Sequence, residues 1–533
     1  MNNKYDVIVL GSGMAGMMTS MLSQKLFNKK TLLIEKHFSL GGCTHTFKRR
    51  VKDYNYEFCV GVHYLGDNDV KKGGLMPIIM SYLSGGKIKF SPLPYEYDIA
   101  HIDGFIFKVP SSRKEYEKRL IDLFPSEKEA ILKYFNDIYL ACKKIMKIKT
   151  IYNIMRGPLA PFMNIPYKNL EIYKLTLKDY LDKYFKDDKL KKILQYCWGD
   201  YGSPPYVAPF YTHAIIVNHY FDGAYTINNG SAEIGLNFEK RYSDLGGHYI
   251  VDSAVQEILL DKNKAIGIKL ESGEEFFADN IISAVGLKNT YLHLLKNVPF
   301  LKRERANIAN IKDTMSFFDI FIGFKCNPNK VGVDGSNHWI KDGDDEFFIS
   351  CESLNHKKEN QDYSSQIIAL LDNKIFDKFK NSSIENRDAE YLKLKEELTN
   401  KYLNLIEKVY PGFRDIIEYC EASTPLTQSY FLNSYNGSPY GVCIDKNLKP
   451  PYNNIYGKIK NLVCVDSRLV SPGVEPAAIA GLLGATSLLA KTINPKKTID
   501  NFASMVKELY VDYFEINDVS EEDKKEIMEN IQR

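Results

Sequence analysis

The chain opens on a short apolar run, Val7 to Leu10, followed by three spaced glycines and a Met/Leu-rich stretch from Met17 to Phe27. The run reads as a buried parallel strand and the stretch as a helix. A second apolar run, Thr31 to Ile34, ends in Glu35, so the first segment predicts a strand–turn–helix–strand unit. From Ser111 to about Phe221 the period becomes helical. Ser126 and Glu129 have capping-box spacing, with Ile131, Leu132, Phe135, Ile138, Tyr139, Cys142, Ile145 and Met146 expected on one face.

Residues 246–286 return to strand-like runs: His248 to Val251, Val255 to Leu260, Ala265 to Leu270, Glu275 to Ala278 and Ile281 to Val285. Residues 300–450 mix apolar strands with a charged helix, Glu385 to Lys408. A late strand, Leu462 to Val465, runs into Asp466 and then a small-residue helix after Pro476. The polar last fifteen residues read as a surface helix. This layout predicts an α/β protein. A Rossmann-like nucleotide domain is assembled from 1–75, 225–300 and 450–500, with a mixed α+β substrate domain from 76–224 and 301–449 carrying a helical cap. Residues 501–533 form a C-terminal helical tail.

The early glycines carry the first chemistry. Gly11, Gly13 and Gly16 have GxGxxG spacing, enclosing Ser12, Met14 and Ala15. The first permits a tight turn, the second lets backbone N–H groups approach a pyrophosphate, and the third lets helix and strand pack closely. Glu35, followed by Lys36, stands where an acid accepts from a ribose hydroxyl pair. Gly41 and Gly42 lie just beyond, where a permissive backbone can run beside pyrophosphate or flavin. A late strand-to-helix turn with Asp466 suits the ribityl or pyrophosphate end of an FAD.

With those residues in place, a family resemblance emerges. Ile34-Glu35-Lys36-His37 followed by Gly41-Gly42-Cys43-Thr44-His45-Thr46-Phe47 resembles the FAD fingerprint of the phytoene desaturase and carotenoid isomerase superfamily. Tyr56 to Gly66 is closer to its retinol saturase (all-trans-retinol 13,14-reductase) branch, as are Val217 to Tyr220, Gly223 to Tyr225, Gly230 to Ile234, Ser283 to Tyr291 and Thr424 to Thr427. The resemblance implies a flavoprotein of the two-dinucleotide-binding-domain type that redox-modifies a polyene, isoprenoid or related unsaturated lipid. It adds Cys43, Thr44, Val60, Gly61, Val255, Gly286, Gly473, Pro476 and Ala477 to the residues expected around FAD. One departure stands out: Val465 precedes Asp466 where the family usually carries glycine, and Gly473 is the expected substitute for the turn.

His63, after Gly61, is a candidate proton donor or substrate-orienting group, and Tyr64 shares that expectation. A plain interior hydrogen bond is the alternative for both. Cys43, His45 and His63 supply too few ligands for a closed metal site, so no metal is expected. The stretch Tyr206 to Tyr225, with Phe210, His213, His219 and Phe221, is either an aromatic substrate wall or ordinary core. Lys48-Arg49-Arg50 reads as a solvated turn.

At 533 residues the chain exceeds one core, and a net charge of +3 falls short of a nucleic-acid binder. Nine scattered cysteines without a CxxC pair read as free thiols of a reducing, cytoplasmic setting. The first strand follows Met1 too closely for a signal peptide, and no apolar run reaches the roughly 18–20 residues of a spanning helix. Residues 138–170 interleave Lys and Arg with apolar residues and contain no carboxylate after Asp137, a pattern suited to peripheral contact with an anionic membrane.

FAD is thus the expected cofactor and a hydrophobic small molecule the expected substrate. The electron donor is left open between a transiently bound NAD(P)H and a partner protein. Reduction, desaturation and cis–trans isomerisation of the polyene remain alternatives. So does a non-catalytic lipid carrier similar in fold to Rab GDP-dissociation inhibitors.

Overall fold

The computed structural model describes residues 4–146, 171–356, 358–445, 457–489 and 495–532. The strands, in chain order, are β1 (Lys4–Leu10), β2 (Thr31–Ile34), β3 (Thr46–Val51), β4 (Tyr54–Cys59), β5 (Phe90–Pro92), β6 (Glu96–Ile102) and β7 (Phe105–Pro110). They continue with β8 (Tyr225–Ile227), β9 (His248–Ile250), β10 (Val255–Asp261), β11 (Lys264–Leu270), β12 (Glu275–Ser283) and β13 (Ser316–Phe324). The last are β14 (Asn337–Asp342), β15 (Asp345–Ser350), β16 (Ser364–Leu371), β17 (Ile417–Ser423) and β18 (Leu462–Cys464).

The first large sheet runs β10-β11-β12-β1-β2-β9, with β18 also on β12. β12, β1, β2, β9 and β18 are parallel, and Ile8, Val9, Leu33 and Ile281 along them are fully buried, as strands covered on both faces must be. The two runs expected as separate strands, Glu275 to Ala278 and Ile281 to Val285, are one strand. Its first part pairs with β11 and its last residues with β18, so the intervening Asp279-Asn280 is no turn.

The helix Met14–Met21 follows β1 directly. Against it lies the late helix Val474–Leu489, whose small residues let the two backbones nearly touch: a Cβ on Gly481 would fall 2.4 Å from the Ala15 carbonyl oxygen. The Thr19 hydroxyl donates to that same glycine's carbonyl at 2.9 Å. Segments more than four hundred residues apart thus build one end of the nucleotide domain.

The second large sheet, β17-β13-β16-β15-β14-β6-β7, is mixed, parallel only between β14 and β6. The charged helix Ala389–Val409 covers it through Tyr402, Leu403 and Ile406. A helical cluster around Phe135, Tyr180 and Phe210 forms a separate core.

Three expectations are corrected. The helix Lys128–Leu140 has no capping box: the chain enters it through a 3-10 turn, Pro125–Glu127, and Glu127 instead accepts from the backbone of Lys186 and Asp187. Leu132 and Tyr139 lie outside its buried face, which is Ile131, Tyr134, Phe135 and Ile138. Lys48-Arg49-Arg50 belongs to β3, where Arg49 pairs with Glu421 at 2.9 Å. Met76, Ile79 and Met80 pack with Met17 and Leu483 in one core. Met505, Leu509 and Ile527 of the C-terminal tail join that same core. Of the basic segment 138–170, residues 147–170 lie outside the described residues. No helix among the described residues is long and apolar enough to cross a membrane.

Candidate active site

A cavity of about 1980 Å³ opens between the two large sheets. Every cofactor residue expected from the sequence lines it except Ser12 and Gly16. Those two stand behind the wall. The Ser12 backbone N–H and hydroxyl both donate to Glu35 Oε2 at 2.7 Å, and the Ser12 hydroxyl accepts from Gly41 N–H at 3.2 Å. A Cβ on Gly16 would sit 1.8 Å from the Gly11 carbonyl oxygen, so Gly16 is the packing glycine. Gly13, in contrast, faces open space, with nothing within 4 Å of an added Cβ. The same holds for Gly286, which has φ +86°. Gly41 and Gly42 have φ of +119° and +58°, and Gly42 lies against Gly13, where a Cβ would be 3.0 Å from its Cα.

These features fit an FAD. Gly13 precedes the free N-terminus of a helix with no acidic residue in its first turn, a natural anion site. Glu35 follows β2 and lines the cavity, one oxygen accepting from Ser12 and the other from the His37 N–H. Lys36 and Val255 flank it. Gly473, Pro476 and Ala477 bring the second helix N-terminus to the same space, Gly473 at φ +120°. The Val465 departure is absorbed structurally. Val465 is fully buried, and Gly484 makes room for it, since a Cβ there would meet Val465 Cγ1 at 2.8 Å. Asp466 lines the cavity and is ion-paired at 2.5 Å with the buried guanidinium of Arg468, a partner the sequence reading did not include.

Beyond the glycine end, the walls become aromatic. Tyr64 stacks on Tyr220 at 4.6 Å between centroids, Trp339 packs on Phe348 at 4.8 Å, and Phe317 and Tyr440 complete this part. The far end is apolar, with Leu75, Ile78, Val506 and Leu509, and reaches Tyr139 and Lys143 at the start of the basic segment. The Tyr-rich stretch therefore divides. Tyr220 and Phe221 face the cavity, whereas Tyr206 is exposed and Phe210 is core. His213 is held between the Tyr134 and Tyr201 hydroxyls at 2.8 and 3.3 Å, where burial pushes its pKa down to about 3.

The two catalytic candidates have different partners. The Tyr64 hydroxyl donates to Asp200 at 2.8 Å, and burial, reinforced by Asp200, raises its pKa far above the ordinary value. His63 Nδ1 donates to Glu352 at 2.5 Å. Cys43, His45 and His63 do not converge, because His45 Nδ1 binds the Gly42 carbonyl at 2.6 Å instead. Among the described residues, one trio of metal-ligating types does converge: Asp67, His219 and Glu475, within 4.8 Å of one another. There the Gly66 N–H donates to His219 Nε2 at 2.9 Å, which places the imidazole proton on Nδ1, 3.3 Å from Glu475. Burial and the neighbouring Glu475 hold the Asp67 carboxyl far above the usual carboxylate range.

Asp67, Glu352 and Glu475 escaped the sequence reading because each acts through a contact with a residue far along the chain.

The sequence pattern of the flavin containing amine oxidoreductases matches residues 170–457, and that of an NAD(P)-binding Rossmann-like domain matches residues 9–72. The chain belongs to the flavin containing amine oxidoreductase family. It is an FAD-dependent oxidoreductase. It is 28% identical to all-trans-retinol 13,14-reductase of Danio rerio, over 82% of this chain and 77% of the relative. It is 26% identical to the chloroplastic prolycopene isomerase of Arabidopsis thaliana, over 93% and 84%. Among solved structures, putrescine oxidase bound to putrescine superposes with a TM-score of 0.61 at 14% identity, covering 91% of this chain and 98% of that one. Cyclohexylamine oxidase from Brevibacterium oxydans gives 0.59 at 14%, over 94% and 99%. These structural likenesses establish the shared fold.

Proposed function

We propose that this flavoenzyme acts on a carbon–carbon double bond of a conjugated polyene or related isoprenoid, with reduction as the leading direction. The observation that carries the reading is that the glycine-lined cradle and the aromatic-walled compartment form one cavity. Its 1980 Å³ exceeds the roughly 300–1,000 Å³ of a single small-molecule site, leaving room for a flat substrate beside FAD. The named activities of the reductase and isomerase relatives both concern polyenes. Desaturation and isomerisation use the same parts and are kept as the second reading.

Bound FAD supplies or withdraws the hydride equivalent. Gly11, Gly13, Glu35, Gly42, Gly286 and Asp466 are the residues assigned to hold it. Tyr64 and Tyr220 align a conjugated chain by stacking. The apolar end excludes water, and segment 138–170 is assigned to membrane contact through which an insoluble substrate enters. The test is anaerobic incubation of purified protein, first checked for flavin absorbance near ~450 nm. All-trans-retinol or prolycopene is supplied under reducing and oxidising conditions, with mass spectrometry of products. A gain of two hydrogens supports reduction, a loss supports desaturation, and an isomer of unchanged mass supports isomerisation. A colourless protein that takes up no FAD sinks the reading.

A further inference from the structure

His63 is nine-tenths buried and lines the cavity. Its Nδ1 is committed to Glu352 Oε1 at 2.5 Å. Its Nε2 is shielded from solvent and has no hydrogen-bond partner in the protein. The other oxygen of Glu352 accepts from the Cys59 thiol at 2.8 Å, and that thiol also lies 3.2 Å from the Ser231 hydroxyl. Burial, with Glu352 next, raises the Cys59 pKa well above normal, so the thiol remains a donor. Glu352 therefore receives one hydrogen bond on each oxygen. The ring is packed on its flank by Phe348, 5.5 Å between centroids.

A buried nitrogen left without a partner costs free energy, and an imidazole clamped at Nδ1 has one free position for exchanging a proton. Its neighbours repeat the pattern. Gln428 Oε1 and Gln366 Oε1 are buried and unpaired, while both side-chain amides donate to Asp319, at 2.7 and 3.3 Å. A polar island thus lies beside the cavity, with His63 and Gln428 in its wall and Gln366 on the Glu352 side, holding unused hydrogen-bonding capacity.

We propose that Glu352 is a positioning residue that fixes the His63 ring and tautomer so that Nε2 exchanges the proton with the substrate double bond. This rests on the polyene reading. In reduction, the Nε2–H bond breaks as the alkene electron pair forms a C–H bond at one carbon. The other carbon receives the hydride equivalent supplied by reduced flavin. The donating ring is the imidazolium; His63 ends neutral, its Nδ1–H still on Glu352, and is reprotonated by water that enters the cavity once product has left. The titratable groups facing the pair are Cys59, Asp319 and His356, whose Nε2 is 4.0 Å from Glu352. Burial pushes Asp319 up to about 6, which makes it the rival proton source.

The experiment uses full-length FAD-loaded protein, reduced anaerobically with dithionite, and all-trans-retinol as probe, with prolycopene and phytoene as alternates. H63Q is expected to lower kcat roughly 100-fold with flavin absorbance and KM retained. E352Q is expected to lower it less and to shift the pH profile, and E352D to restore most of the loss. D319N is expected to leave turnover within a few-fold. Independently of turnover, nitrogen NMR of histidine-labelled protein should show His63 protonated on Nδ1, with a downfield proton that E352Q removes. Full activity in H63Q, collapse in D319N alone, or an Nδ1 proton unchanged by E352Q overturns the proposal. Failure of the wild type on all three polyenes overturns the substrate reading, and with it the proton-transfer role, while the NMR outcome separately decides the clamp.

Discussion

Ser12 gives both its backbone N–H and its hydroxyl to one oxygen of Glu35, each at 2.7 Å. The other Glu35 oxygen accepts from the His37 N–H at 2.9 Å. The acid expected to read a ribose is therefore oriented before any ligand arrives, and the glycine turn is tied to the end of β2. Hydrogen bonds to a charged acceptor are worth about 1.5–3 kcal/mol each. S12A is expected to weaken FAD binding by about tenfold, and E35Q by more. Titrating apoprotein with FAD by flavin fluorescence checks both, and unchanged affinity in E35Q would reject the ribose role.

Two glycines of one motif should fail in different ways. G16A drives a Cβ to 1.8 Å from a backbone carbonyl, so the apoprotein itself should lose its cooperative melt. G13A meets nothing, so the apoprotein should melt as wild type while FAD affinity falls at least tenfold, about 1.4 kcal/mol. Calorimetry of both apoproteins, with FAD titration of G13A, separates packing from ligand space.

Arg468 is 1% exposed and carries its charge against Asp466. Removing one partner of a buried pair costs ~3–5 kcal/mol, because the other charge is left uncompensated. R468M should therefore lower Tm strongly. The double variant with Asp466→Asn should recover part of the loss. Tm values for the set test this, and a double variant no more stable than R468M would contradict it.

His213 is held neutral in the core, its pKa pushed down to about 3 from the unfolded 6.5. Its folded pKa is depressed, so the unfolded chain binds a proton that the native state refuses as pH falls below about 6.5. Stability should decline from there towards pH 3. H213Q, which keeps a polar group beside Tyr134 and Tyr201, should flatten that decline by one proton. Tm measured across that range reads the slope.

Asp67 has the opposite sign. Burial and Glu475 raise its pKa, so above about pH 4, where the unfolded carboxyl ionises, the native state retains a proton that the unfolded chain has lost. Stability contributed by this group falls as pH rises towards the raised value. D67N removes the titration and should flatten the Tm profile between about pH 4 and about 9.

The first sixty residues were the most legible part of the chain, because the glycine motif and Glu35 belong to one local unit whose geometry is set by strand and helix periods. The late Asp466 turn was legible as a second helix N-terminus. Its buried arginine was not, since an Arg at 468 reads as a surface residue until the fold encloses it. The capping box at Ser126 misled because a proline one residue earlier starts a 3-10 turn instead.

His63 illustrates the division most clearly. The sequence alone showed a polar residue two positions after Gly61, downstream of a strand–turn–helix–strand unit whose periodicity leaves little choice of fold. Its proton-holding partner, Glu352, is separated from it by 289 positions, beyond any local pattern. Asp67, His219 and Glu475 likewise meet only where a loop, a cap helix and the late helix converge. Local periodicity is written in neighbouring residues, so the chain displays it directly. Proton sharing depends on distance and burial, which exist only after the two large sheets and their helices have packed.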